Sequence, residues 1–120
     1  MLLINYNCSI LDTSPVYIGE SVFIAPGVCI ACAGHGIHPD ERDVIDTSKP
    51  IHIGKKVWIG ANFTILAGVH IGAGSIIGAG SVVNKDIPEN VIAAGVPCKV
   101  IRKITDEDRL NMEEGIRYEE

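Results

Sequence analysis

The sequence is poor in aromatics: one Trp, three Tyr and two Phe among 120 residues. That excludes a core built on large rings and leaves packing to aliphatic side chains. No apolar run approaches the 18 or so residues that a membrane-crossing helix needs. The opening "MLLINYNCSILD" lacks the basic segment and cleavage pattern of an export signal. Positive charge is not in excess either. A net charge of -5 argues against nucleic acid as a partner. Without an export signal, Cys8, Cys29, Cys32 and Cys98 read as reduced thiols of a cytoplasmic protein. The Cys29-x-x-Cys32 pair has neither the helix start of a redox motif nor the second pair of a zinc ribbon, so it reads as structural.

What is present suits one folded domain. The chain is 47% hydrophobic and 21% charged, with 13 glycines, enough to build a core and to make many turns. Its apolar residues keep a beat. Ile18, Ile24 and Ile30 stand six apart, as do Ile53, Ile59, Ile65, Ile71, Ile77 and Val83. Four residues after most of them comes Val22, Val28, Val57, Phe63, Val69, Ser75 or Ser81, and Gly19, Gly54, Gly60, Gly72 and Gly78 follow directly.

A helix cannot use this spacing. Six residues leave each isoleucine about 240° round from the last, and each interior glycine costs about 1 kcal/mol. In a strand, an even period keeps one side facing inward. Regular glycines cut the strands short. Short strands, regular turns and one inward isoleucine per strand predict a β-helix of hexapeptide repeats with three sides per 18-residue coil. Ile4, Ile10 and Val16 add a partial first coil. On this count Asp12 falls on the inward beat (12, 18, 24, 30), where a carboxylate must be paired or lie at the open coil end. His52 and His70, 18 apart, are expected to stack on successive coils about 4.8 Å apart. The interval from Ile30 to Ile53 is no multiple of six, so about five residues or more of 31–50, "ACAGHGIHPDERDVIDTSKP", must leave the coil as a loop. Loops that long are usually functional or disordered. The tail 105–120, with Thr105 as N-cap and acids after it, predicts a short terminal helix with a solvated face.

Several pieces together, "NYN", "GH…ER", "VWIG", "GAGSVVNKDIP" and "AAGVPCKVIR", resemble the maltose and galactoside O-acetyltransferases over roughly residues 4–104. The resemblance implies an all-β, left-handed parallel β-helix over 1–104. It also implies a homotrimer with active sites between neighbouring subunits, acetyl-CoA as donor, a sugar or similar hydroxyl as acceptor, and no metal. By the same resemblance the general base is the histidine after a glycine at the start of the loop, with an arginine seven residues later. Gly34-His35 and Arg42 match. His38-Pro39 is the rival, because many relatives read His-Pro at that position. A neutral imidazole suits the task, since a sugar hydroxyl is too weak an acid to attack a thioester unaided.

The remaining roles also come from the resemblance. Asn5 matches the asparagine that supports the oxyanion, with a backbone N–H of Gly60 or Ala61 as second donor. Asp12 and Thr13 fall where relatives contact the acceptor. Trp58 would line the donor groove and Ala79 would touch the pantetheine arm. Asn84 and Lys85 would sit near the nucleotide, and Lys99 and Arg102 would meet phosphates. Relatives carry a further segment before "NYN", so the resemblance leads one to expect an open acceptor side here. That expectation motivates a second reading as a non-catalytic assembly domain. A metal-dependent hydratase on the same coil is a third, weakened because no histidine pair five apart is present.

Overall fold

A computed structural model describes residues 1–110. The chain winds as a left-handed parallel β-helix. β1 (Leu3–Ile4), β2 (Ser9–Leu11) and β3 (Val16–Ile18) make the first coil. β4 (Phe23–Ile24), β5 (Cys29–Ala31) and β6 (Ile51–Ile53) make the second, and β7 (Trp58–Ile59), β8 (Thr64–Ile65) and β9 (His70–Ile71) the third. β10 (Ile76–Ile77) and β11 (Val82–Val83) begin a fourth, and β12 (Val91–Ala94) and β13 (Lys99–Lys103) end the stack. Three parallel faces result. The first runs β1-β4-β7-β10-β12, with β13 added antiparallel. The second runs β2-β5-β8-β11 and the third β3-β6-β9.

The inward beat is the core. Ile24, Ile59, Ile77 and Ala93 stand in one column, Ile30, Ile65 and Val83 in a second, and Ile53, Ile71 and Ile87 in a third. The residues four places on fill the corners, and Val22, Val28, Val57, Phe63, Ser75 and Ser81 are completely buried. The Ile-Gly step has a steric cause at Gly54. A Cβ there would stand 2.6 Å from the backbone nitrogen of Ala73 on the next coil. Ser75 and Ser81 replace valine where the coil contracts, Ile77 pairing with Ala93 rather than with a residue 18 further on. The hydroxyls supply partners the shorter coil lacks: Ser75 Oγ donates to the Pro88 carbonyl at 2.7 Å and accepts from the Val91 N–H at 3.3 Å, and Ser81 Oγ accepts from the Gly95 N–H at 3.0 Å.

One expectation is corrected here. Asp12 does not point inward. Ile4 pairs with Ile24 and Ile10 with Ile30, so the first coil is two residues longer than the regular coil that takes Ile53 to Ile71. The extra length goes into the 12–15 turn and leaves Asp12 exposed. The excursion leaves the coil as the break in the beat requires. The Lys49 N–H donates to the Cys32 carbonyl at 3.2 Å, closing the coil over residues 33–48. Of the expected terminal helix, the described part is a 3-10 turn, Asp106–Asp108, and residues 111–120 lie outside the described residues. No helix among the described residues is long and apolar enough to cross a membrane.

Phe63 is the largest fully buried side chain. Phe63→Ala should lower the unfolding free energy by about 3–5 kcal/mol. Ile37→Ala, at a side chain 94% exposed, should change it by less than about 0.5 kcal/mol. Urea denaturation of the two variants beside the parent checks the contrast.

Candidate functional site

The excursion is not an irregular loop. Gly36 N–H donates to the Ile45 carbonyl at 3.2 Å and Thr47 N–H to the Gly34 carbonyl at 3.0 Å. These bonds flank an antiparallel bridge between His35 and Asp46. Bonds at the flanking residues make His35 and Asp46 a non-hydrogen-bonded pair, the closer kind, with both side chains on one face of the ribbon. Gly34 admits the pairing, because a Cβ there would stand 2.3 Å from Thr47 Oγ1.

Asp46 is held as an anion. Its Oδ1 accepts from the Ser48 N–H at 2.8 Å. That bond and the Ser48 hydroxyl hold the carboxyl below its ordinary value of 3.8, with the nearby His35 adding a smaller pull the same way. Sequence reasoning missed Asp46. It is one of four acids in the loop, with Asp40, Glu41 and Asp43, and only the pairing distinguishes it.

The two loop histidines have different surroundings. His38 caps the 3-10 turn Pro39–Glu41, its Nδ1 accepting from the Asp40 N–H at 3.1 Å. Arg42 turns back on the loop and donates to the Ile37 carbonyl at 2.9 Å. His35 is exposed on the ribbon beside Asp46.

The other candidates are spread over the coil. Asn5 lies where the first face of the first coil turns toward the second, and its Oδ1 accepts from the Tyr6 N–H at 3.0 Å. Thr13 Oγ1 is 2.6 Å from Ser48 Oγ, tying the 12–15 turn to the end of the excursion. Asp12 is its exposed neighbour. Trp58 projects from the first face, 55% exposed, between Phe23 and Ile76. Gly60 and Ala61 turn from the first face to the second. The Gly60 N–H is already given to the Ile77 carbonyl at 2.8 Å, which removes it as a donor to an oxyanion. Ala61 gives its carbonyl to Gly80, and no backbone bond among the described residues takes its N–H. Ala79 occupies the same corner one coil on, and Asn84 and Lys85 lie exposed at the following corner.

Lys99 and Arg102 lie on β13. Lys99 is exposed, and Arg102 already holds a carboxylate, its two terminal nitrogens donating to Asp108 Oδ2 and Oδ1 at 2.9 Å each. This fork, with the Thr105 N–H as a second donor, holds Asp108 down at about 2. A single chain therefore places Asn5, Trp58, Ala61 and Ala79 on the first face and its corner. His35, Asp46 and Thr13 lie at the corner between second and third faces. Among the described residues no group of three or more His, Cys, Asp or Glu could hold a metal ion, and all four cysteines are free thiols.

The model of the bacterial transferase hexapeptide (six repeats) matches residues 50–85. Galactoside O-acetyltransferase of Escherichia coli K12 is 52% identical over 88% of this chain and 52% of its own length. A crystal structure of galactoside acetyltransferase in complex with coenzyme A superposes with a TM-score of 0.81, covering 84% of this chain and 51% of that one, at 52% identity. The crystal structure of a maltose O-acetyltransferase from Clostridium difficile 630 gives 0.85 at 45% identity, covering 88% and 57%. The chain thus spans about half the length of the curated relatives it matches.

The Arg102–Asp108 fork makes a pH prediction. A carboxyl held at about 2 instead of 3.8 keeps its partner at every pH above its ordinary value and loses it as pH falls through about 2. The carboxyl carbon shift of Asp108, followed by NMR, should titrate near 2 in the parent and move up toward 3.8 in Arg102→Gln without reaching it, because the Thr105 N–H still donates.

Proposed function

We propose that the chain, as a member of the maltose and galactoside O-acetyltransferase family of hexapeptide-repeat proteins, transfers acetyl from acetyl-CoA to a hydroxyl of a sugar or similar small acceptor. The observation that carries the reading is the His35–Asp46 bridge. It offers a base and an anion side by side, outside the coil, in a loop that two backbone bonds hold in shape.

In this reading His35 accepts the acceptor's hydroxyl proton as that oxygen attacks the thioester carbonyl, and Asp46 orients the ring and favours the imidazolium that forms. The Asn5 side-chain amide and the Ala61 N–H donate to the oxyanion. When the tetrahedral intermediate collapses, the C–S bond breaks and the imidazolium returns its proton to the departing thiolate. Attack is direct, in a ternary complex, with no acyl-enzyme. Asp12 and Thr13 contact the acceptor. Trp58 and Ala79 line the pantetheine arm, Asn84 and Lys85 stand near the nucleotide, and Lys99 and Arg102 meet its phosphates, Arg102 leaving Asp108 to do so.

The separation of these groups between two corners of one coil supports a site completed by a neighbouring copy. A homotrimer is the assembly proposed, and the cytoplasm the compartment. His35 rather than His38 is the base, because His38 spends Nδ1 on its own turn.

Free-thiol release from acetyl-CoA, with a panel of sugars and other hydroxyl acceptors, tests the reading. His35→Ala should lower kcat about 10²–10⁴-fold. Release that survives His35→Ala and dies in His38→Ala would move the base to His38. No release with any acceptor would favour the non-catalytic assembly domain instead.

A further inference from the structure

The outward side chains of the third face form a column the transfer reading does not use. Tyr17, His52 and His70 stand in parallel register. The Ile71–Ile87 bridge puts Asp86 on the next rung, where its Oδ1 accepts from the His70 N–H at 2.8 Å. The rings lie one over the next, the first pair stacked and the second tilted. Tyr17 and His52 have centroids 4.6 Å apart and planes 18° apart, and His52 and His70 are 4.2 Å and 38° apart. His52 Nδ1 is buried with no hydrogen-bond partner among the described residues, a desolvation cost that valine at this position would not carry.

β3 is the edge strand of this face among the described residues. One side of the Tyr17 ring therefore rests on His52, and the other has no ring against it among the described residues; the residue is 53% exposed. Because the ring is propped from beneath, it offers a flat apolar plane already held in one orientation. A ring landing on it meets little ordering cost. The open groove along the column, about 950 Å³, is lined by His52, His70, Asp86 and Glu89 and by no lysine or arginine. Hydrogen-bond acceptors without cations suit a neutral polyol, whose hydroxyls donate, and do not suit a phosphate.

The column is joined to the transfer site. The 12–15 turn leads into β3, and Thr13 is bonded to Ser48 at the end of the excursion that carries His35. From Thr13 to Tyr17 the chain spans at most about 14 Å, a reach that linked sugar rings cover. We propose that the free face of Tyr17 is a sugar-stacking subsite and that the acceptor is an oligosaccharide, its distal ring on Tyr17 while a hydroxyl of another ring reaches His35. The inference rests on the transfer reading and narrows its substrate class.

Kinetics with glucose, maltose and maltotriose as acceptors test it, on the parent, Tyr17→Ala, Tyr17→Phe, Tyr17→Leu and His52→Ala. Tyr17→Ala should lower kcat/KM for maltotriose about tenfold more than for glucose, through KM. Tyr17→Phe should stay within about twofold of the parent ratio. His52→Ala, which removes the prop, should shift the ratio in the same direction by less. Tyr17→Leu keeps apolar bulk on His52 without an aromatic face and serves if the alanine variant does not fold. Equal losses for the three sugars would make the column a support for the coil alone and overturn the subsite. Failure of the transfer reading looks different, since no sugar then releases thiol. In that case saturation-transfer NMR between maltotriose and the Tyr17 ring decides. Contact that Tyr17→Ala abolishes supports the subsite, and no contact overturns it.

Discussion

Everything in this chain depends on hydrogen bonds that run along the coil axis. Each strand is too short to be stable by itself, most being two or three residues. Its N–H groups donate to the carbonyls of the following coil, as Gly60 does to Ile77 and Gly54 to Ile71. A buried amide left unpaired is costly, so the backbone of one coil dictates the path of the next. The rule of one inward aliphatic per strand follows from it, because side chains in register stack into columns. The glycines follow too: where one coil's backbone lies against the next, a Cβ has no room.

That constraint explains which parts of the molecule were legible in the sequence. The beat from Ile53 to Val83 predicts face, register and burial correctly, down to His52 beside His70. It works because every coil there has the same length. It fails where the length changes. The first coil hides two extra residues in a turn, and a turn carries no hydrophobic mark, so counting in sixes put Asp12 inside. The contraction near Ser75 and Ser81 is visible in the sequence only as a change of residue type at the corner. Its meaning appears only once the hydroxyls are seen to replace missing backbone partners.

The site was legible in a different way. Gly34-His35 could be found because a resemblance marks it, but Asp46 could not, since it meets His35 only by pairing across the ribbon, eleven positions further along the chain. His38-Pro39 is the rival that the sequence offers beside Gly34-His35, and Arg42 belongs to the His35 motif. The side chains of Arg42 and His38 are committed to the loop itself, one to the Ile37 carbonyl and the other to the Asp40 amide. Gly60 shows the same limit from the backbone side, since which N–H is free depends on the neighbouring coil.

The closure between Lys49 and Cys32 has a wider consequence. It seals the coil as though residues 33–48 were not there, so the frame does not register what is threaded through that gap. Lengthening a closed loop costs only about 0.6 kcal/mol per doubling. Such a frame can host cassettes of differing length and chemistry at one address while its own melting behaviour hardly changes. The coil then acts as a chassis that accepts inserts of different length at one address.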